Sequence, residues 1–443
     1  MLPEIRTNGD IFSIPKFSIV EQDVSKFMDE LTGFHREFHD CFARSEPREN
    51  FFKYMVGQFS KGIERKSIEP IALKVVNAQV RPLQRLISDV IWNNRKIIQK
   101  YRSLVNGDLG DANGVLIFDE TGFVKQGDDS AGVGKQYCGS VGKVENCQVG
   151  VFTAYASRYG YCLMDARLFI PQQWFSDDYA EKRTKCHFPN DLAFKTKPQL
   201  AVAMFQDLAD QASLPFKYVV ADTIYGHSPD FIEAIENGGG VTYFVSIPND
   251  ALCWLTQPIT SKKTYQYQGK QRTKTVIEKT ENKPLALTTI AKHINDYFWY
   301  RRQVSEGTKG PIEYEFTKMR VVLANDGLPW KQVWLIIKRS LADKPAYCYY
   351  ISNAPRGTRL KTLVWLSGVR WAIEQCFEET KTELGMDHYE VRKLPGWQHH
   401  MLTCMLAHFF LWQLKIRLGE KSTSYYTIAT EDVARCCITT ESI

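Results

Sequence analysis

Nowhere in the 443 residues is there a Cys-x-x-Cys pair or the Cys/His spacing of a zinc site, although the chain has 11 cysteines. An odd number, scattered through apolar stretches, excludes a disulfide framework and predicts reduced thiols. The vicinal pair Cys436–Cys437 sits in a polar tail and receives no role. His35 and His39 are four apart, but within His-Arg-Glu-Phe-His rather than His-Glu-x-x-His, which excludes a zinc-protease helix. The glycines around Lys135 and Lys143 do not spell a phosphate-binding loop for ATP. There is no internal repeat and no low-complexity tract. The longest apolar run, Met401–Leu414, is about 14 residues, short of the roughly 20 needed to cross a bilayer. The opening residues MLPEIRTNGD lack the apolar stretch of a secretory leader. These absences together predict a soluble, cytoplasmic protein.

Charge is modest overall, +6, but unevenly placed. Residues 1–50 carry 6 Lys/Arg against 10 Asp/Glu, whereas residues 51–107 carry 11 against 3. An excess of cations in one stretch suits a polyanion, because Lys and Arg displace counterions condensed on phosphates. A solvated basic helix surface would read the same way. Within this stretch Arg65, Lys66, Arg81, Arg85, Arg95 and Lys96 are the candidates for contacting DNA.

The hydrophobic pattern divides the chain. From about Val24 to Asn106 it is helical: Leu86, Val90, Ile97, Tyr101 and Leu104, with Ile87 and Ile91, recur near the helix period. A turn-rich stretch, Asn106–Gly114, predicts the end of a helical domain covering 1–107. Then the period changes. GVLIFDETG reads as a buried strand ending on Asp119, followed by Gly-rich hairpin chemistry and two more strands, VGVFTAYAS and YCLMDARLFIP. Pro198–Ser213 reads as a helix with proline in its first turn. FKYVVADTIYG is another strand ending on an acid, Asp222. Residues 108–237 thus form the first part of an α/β layer. Residues 238–357 carry mostly β signals and read as an insertion. Residues 358–418 return to helix, over Leu363–Leu384 and Trp397–Leu418, and 419–443 form a polar tail.

Three acids stand out. Asp119 and Asp222 share one context, an apolar run, the acid, then Thr and a glycine within a few residues. Groups at strand ends of α/β sheets face the ligand crevice. Two carboxylates placed there repel each other unless a divalent cation bridges them, and hard oxygen donors suit Mg²⁺. Each could instead cap the turn that follows. In VRWAIEQCFEETKTELG, Glu374 follows Arg370 by four residues and precedes Lys381 by seven, so the three share one helix face. Glu378, Glu379 and Glu383 fit an ion-paired helix surface and are not expected to be ligands.

The order Asp, Asp, Glu, with Arg-x3-Glu-x6-Lys around the last acid, resembles the DDE transposases of bacterial insertion sequences. More narrowly it is similar to the group with a Tyr-x2-Arg-x3-Glu-x6-Lys signature and a β-strand insertion between the second Asp and the Glu. The resemblance runs from about Ser45 to Leu414, through FARSEPRENF, FDETGFVKQG, GKQYCGSVGKVENCQVGV, ADTIYG and the Arg370/Glu374/Lys381 helix. One position departs: where the signature has Tyr, this chain has Ser367. The resemblance implies an RNase H-like α/β core interrupted by the β-rich insertion, with a mostly helical N-terminal domain. It implies two Mg²⁺ ions, for which Mn²⁺ can substitute, about 3.5–4 Å apart on Asp119, Asp222 and Glu374. It further implies hydrolysis of a phosphodiester at the element end, in some relatives through a DNA hairpin, and joining of the 3′-OH to target DNA. Arg370 and Lys381 would touch phosphates near the scissile bond, and Lys125, shortly after Asp119, would touch DNA. Implied partners are double-stranded terminal repeats and target DNA, bound by a dimer in the synaptic complex, at the nucleoid. An insertion tryptophan stacks on a flipped base in relatives, and Trp254, Trp299, Trp330 and Trp334 all qualify.

Two other readings remain open on the residues alone: another Mg²⁺ phosphotransfer enzyme, either a phosphatase or a nuclease, and a DNA-binding protein without catalysis. A haloacid-dehalogenase phosphatase needs an Asp two residues after its nucleophile, where this chain has Thr121. An RNase H-like Mg²⁺ nuclease would lack the long insertion and the basic helical segment. A transposase-derived DNA-binding protein without catalysis would have lost an acid, and all three are present.

Overall fold

The computed structural model describes residues 26–210, 214–278, 283–307 and 310–417; Cys436–Cys437 and the tail from 419 lie outside them. The fold is mixed α/β with helices at the N-terminus. The described residues gather into two compact units: one is Tyr218–Arg370, the other joins residues 26–217 to 371–417. The five stretches read from the sequence are therefore regrouped, with boundaries beside 217 and 370 rather than at 107 and 237.

The first, discontinuous unit begins with five helices: α1 (Phe27–Arg36), α2 (Ser45–Phe59), α3 (Ile68–Lys74), α4 (Val80–Ser88) and α5 (Asn94–Leu109). The expected helical run is interrupted at 89–93. Ile91 is 95% exposed there, while Leu86, Ile87, Ile97 and Tyr101 are buried and Val105 is buried where Leu104 was expected. The helices are not a separate domain, because their apolar faces close on the C-terminal helix α13 (Leu394–Arg417). Phe27 packs edge-on and Phe59 at a tilt against Phe410, and Trp92 stacks on His399 at 4.1 Å. The Tyr54 hydroxyl shares a 2.8 Å hydrogen bond with His400 Nδ1. The apolar run Met401–Leu414 is thereby a core helix, and none of the described helices is long and apolar enough to cross a membrane.

This unit also holds an antiparallel sheet of β1 (Val115–Val124), β2 (Gly134–Cys138), β3 (Lys143–Ser157) and β4 (Gly160–Phe169). β3 pairs with each of the other three. Connecting helices α6 (Ala180–Lys185) and α7 (Lys197–Asp210) follow. Gly160 turns the β3–β4 hairpin at φ +153°, and a Cβ there would lie 2.4 Å from the Trp412 ring, so only glycine lets α13 approach this closely.

In the second unit β5 (Tyr218–Ala221) and β6 (Thr242–Ser246) run parallel, joined through α8 (Thr223–Gly226) and α9 (Pro229–Asn237). The insertion continues this sheet rather than standing apart from it. β14 (Tyr347–Ser352) pairs with β6, then come β13 (Leu328–Arg339) and β12 (Gly310–Asn325), all antiparallel. β12 also takes β11 (Tyr300–Gly307) and β7 (Leu252–Trp254), and β10 (Leu285–Ala286) pairs with β7. β8 (Thr260–Tyr267) and β9 (Lys270–Ile277) form a ribbon of their own. α10 (Leu287–Lys292) interrupts the strands, and α11 (Leu360–Val369) packs on β6, β11 and β12. The helix expected over Leu363–Leu384 is two: α11, then α12 (Trp371–Thr382), separated by Arg370, which keeps helical angles of φ −53° and ψ −31°.

Candidate active site

Asp119 is not at the end of its strand. β1 runs five residues beyond it to Val124, paired throughout with β3, because Thr121, Gly122 and Phe123 are buried and must keep their backbone groups hydrogen-bonded. Strand alternation puts Asp119, Thr121 and Phe123 on one face and Glu120 and Gly122 on the other. Asp119 is half-buried, and its Oδ1 accepts the Glu120 N–H at 2.9 Å. Its neighbour Glu120 is spoken for, taking the Lys197 ammonium at 2.9 Å from its own side of the sheet.

Helix α12 lies across the Asp119 face. Phe377 meets Phe152, the residue directly across the ladder from Asp119, with ring centroids 5.2 Å apart. One turn on, Lys381 Nζ donates to Thr121 Oγ1 at 2.8 Å and to the Gly122 carbonyl at 3.3 Å, and sits 5.2 Å from the Phe123 ring centroid. The other flank of α12 is tied down by Glu379, which accepts the Tyr161 hydroxyl at 2.7 Å and faces His408 Nε2 at 2.8 Å. Glu374 stands one turn before Phe377 and is exposed. The structure thus lays α12, the helix that carries Glu374, on the sheet face to which Asp119 belongs, fastened by Lys381 and Glu379. Lys381 was expected on a phosphate; in the structure it grips β1, and burial holds its ammonium pKa below the usual lysine value. Glu379, read as part of a surface ion pair, is instead a half-buried anchor.

Asp222 and Arg370 belong to the other unit. Asp222 follows β5 and starts α8, whose tight turn is fixed by Gly226: a Cβ there would come 2.0 Å from the Ser246 carbonyl oxygen on β6. The Asp222 side chain is half-buried and makes no capping bond to α8. Tyr350 on β14 stacks on Phe244 at 4.7 Å, and its phenol is held protonated chiefly by burial, with Arg370 and Asp222 exerting opposite pulls on it. Tyr350 was invisible in the sequence, one aromatic among several in an alternating strand. Ser367, in the signature tyrosine's place, turns inward and donates to the Val364 carbonyl at 2.6 Å.

The basic candidates separate by environment. Lys66 is corrected outright: it is 6% exposed, and its ammonium donates to the carbonyls of Gln58, at 2.6 Å, and Glu383, so it ties α2 to the end of α12 and cannot reach DNA. Burial lowers its pKa to about 8. Lys125 is half-buried over the Tyr389 ring, 3.4 Å from its centroid, with burial and then Arg65 lowering its pKa to about 8. Arg65, Arg81, Arg85 and Arg95 are exposed; Arg65 pairs with Glu390 at 3.3 Å and Arg85 lies 3.8 Å from Glu46, while half-buried Lys96 meets Asp40 at 2.7 Å. Among the tryptophans, Trp254 and Trp299 are core, while Trp330 and Trp334 are partly exposed, with Lys318 Nζ 4.2 Å from the Trp334 ring centroid.

Asp119, Asp222 and Glu374 are hard oxygen donors of the kind a divalent ion takes. Among the described residues no three His, Cys, Asp or Glu side chains are gathered into a cluster that could hold a metal. A cavity of about 810 Å³ elsewhere in the discontinuous unit is lined by Arg95, Arg102, Asp165, Arg167 and Asp207 among others. Within it Arg167 pairs with Asp165 and Asp207, and the Arg102 guanidinium donates to the Asp207 carbonyl.

The fold is that of an α/β protein in which the helix bearing Glu374 packs on the strand bearing Asp119. The chain belongs to the DDE superfamily endonucleases, whose family model matches residues 37–311, more than half of its length. It is similar to the probable transposase for insertion sequence element IS701 of Microchaete diplosiphon, 22% identical over 372 residues that cover 84% of this chain and 83% of that one. Among solved structures it is similar to the piggyBac transposase in a synaptic complex with hairpin DNA, at 10% identity and a TM-score of 0.43, covering 96% of this chain and 80% of the other. It is also similar to the NurA nuclease of Sulfolobus solfataricus, at 11% identity and a TM-score of 0.25, covering 65% and 86%. Likenesses of that extent carry no weight for fold or activity.

Proposed function

We propose that the chain is the transposase of a bacterial insertion sequence, cutting phosphodiesters at the element's ends and joining the freed 3′-OH groups to target DNA. The observation that supports this is α12, the helix bearing Glu374, fastened across the strand bearing Asp119 in a chain of the endonuclease family. In this reading the core is RNase H-like. Asp119, Asp222 and Glu374 would hold two Mg²⁺ ions, or Mn²⁺ in their place, which when bound supply charge neutralisation at the scissile phosphate and a nucleophile at neutral pH. The chain's own contribution is position. Lys381 and Glu379 fix the helix that carries Glu374, Gly226 fixes the turn that carries Asp222, and Arg370 offers a forked donor to a phosphate. The partners in this reading are double-stranded terminal repeats and target DNA, engaged by a dimer because two ends must be brought together.

The test is a duplex carrying the ends of the protein's own flanking element, incubated with Mg²⁺ and either wild type or Glu374→Gln. Wild type should nick at the element boundary, and the variant should bind without cutting. Equal cutting by both would remove Glu374 from the site. Binding without cutting by either, in Mg²⁺ or Mn²⁺, would favour a transposase-derived DNA-binding protein. Cutting with no preference for the element's ends would favour a general nuclease.

A further inference from the structure

The β8–β9 ribbon is the least buried regular element of the inserted unit, and its two faces differ in kind. Its register pairs Lys263 with Lys274, Tyr265 with Arg272 and Tyr267 with Lys270. Residues directly opposite each other share a face of a two-stranded ladder, so one face presents Lys263, Tyr265, Tyr267, Lys270, Arg272 and Lys274. All six are exposed. The other face presents Lys262, Thr264, Gln266, Gln271, Thr273 and Thr275. No Asp or Glu occurs between Thr260 and Ile277. The turn is Gln268–Gly269, both at positive φ (+49° and +70°), as a tight two-residue hairpin requires.

Nothing in this ribbon explains itself as structure. A lone hairpin gains little from burial, and Lys263 directly opposite Lys274 places like charges where they destabilise the pair. A lysine or two suffices to keep a strand edge from pairing with another chain. Four cations on one face, interleaved with two exposed tyrosines, exceed that need. Arg272 stands 4.9 Å from the Tyr267 ring centroid and Lys274 5.4 Å from that of Tyr265, so each cation is held beside an aromatic ring on the same exposed face.

We propose that this face of the ribbon is a DNA-binding surface that seats on the duplex backbone. Its partner is identified by charge and dimensions. A two-stranded ribbon fits the major groove, whose walls are rows of phosphates, and four cations without a neighbouring acid complement such a wall. The tyrosine hydroxyls add donors to phosphate oxygens. The inference rests on the reading of the chain as a DNA-cutting enzyme but names a surface separate from the carboxylates.

The test is binding of the full-length protein to duplex DNA across a salt series. The variants are Lys263→Gln/Lys270→Gln/Arg272→Gln/Lys274→Gln and, as the control on the opposite face, Lys262→Gln/Thr264→Ala. Thermal melting confirms that both remain folded. The four-fold variant should bind roughly tenfold or more weakly at low salt, and its plot of log affinity against log salt should be shallower by about 3 to 4, near 0.9 per lost phosphate contact. The opposite-face variant should move the slope by no more than about 1. If wild type binds duplex with a steep slope and the four-fold variant matches it, the ribbon proposal is overturned while the DNA reading stands. If wild type itself fails to bind duplex, the functional reading falls first. If the variant loses anionic-vesicle binding but not duplex binding, the surface belongs to a membrane and the proposal is wrong.

Discussion

Replacing Lys381 by Met separates the two jobs this lysine could have. In the structure its ammonium donates to Thr121 Oγ1 at 2.8 Å and to the Gly122 carbonyl at 3.3 Å, joining α12 to the strand that carries Asp119. Met keeps most of the apolar stem and its packing beside Phe123, so the loss is chiefly those two charge-assisted bonds. Such bonds contribute roughly 1.5–3 kcal/mol each before the cost of burying the ammonium is set against them. Burial here is substantial enough to lower the lysine's pKa, so about 2 kcal/mol is the expected net loss. Urea denaturation followed by tryptophan fluorescence would measure it. Freed from Thr121, the α12 turn bearing Glu374 can drift relative to Asp119, and a displacement of about 1 Å costs roughly a hundredfold in rate when groups must converge. DNA affinity, in contrast, should barely change. Stability equal to wild type, with affinity for cut-site DNA clearly reduced, would refute the fastening role and return Lys381 to the phosphate contact that the sequence suggested.

Gly226→Ala should destabilise the inserted unit by about 1–3 kcal/mol through overpacking against the Ser246 carbonyl and depress cleavage by shifting the Asp222 turn; denaturation and single-turnover nicking would show both. Burial lowers His399 and His400 to about 4, so the unfolded chain binds more protons than the folded one between that value and about 6.5. Their contribution is complete above the unfolded value and is lost as pH falls through the window, so His399→Phe should flatten the fall of stability measured from pH 6.5 to 4. Lys66, lowered to about 8 by burial, acts with the same sign in alkali. The folded chain sheds its proton first, and the stability difference between wild type and Lys66→Met should grow in favour of wild type from pH 8 towards 10. A flat difference across that range would contradict the buried placement.

The sequence disclosed elements better than their partners. β1, β3, β4, β5, α7 and α13 could be read because each carries its own period, and an apolar period reports that a face is covered. It does not report by what. The N-terminal helices looked like a domain because nothing local announces that Phe27 and Phe59 will meet Phe410, more than three hundred residues away. Strand ends were misjudged for a related reason: Asp119 interrupts an apolar run, and polarity mid-strand resembles a terminus until the pairing with Phe152 is known. Among the basic residues, composition could not tell Lys66, sealed under two carbonyls, from Arg81 and Arg95 on the surface. The β8–β9 ribbon was the reverse case. Its alternation was visible in TYQYQ, but only the register shows that the cations of β9 fall behind the tyrosines of β8.

The central claim is that Asp119, Asp222 and Glu374 act as one divalent-metal site, and its most direct test is to count bound ions. Electron paramagnetic resonance would follow the loss of free Mn²⁺ signal as protein bound to element-end DNA is titrated. Two ions per active site are expected for wild type, with one or both lost in each of Asp119→Asn, Asp222→Asn and Glu374→Gln. Undiminished binding of two ions by any of the three variants would contradict the account.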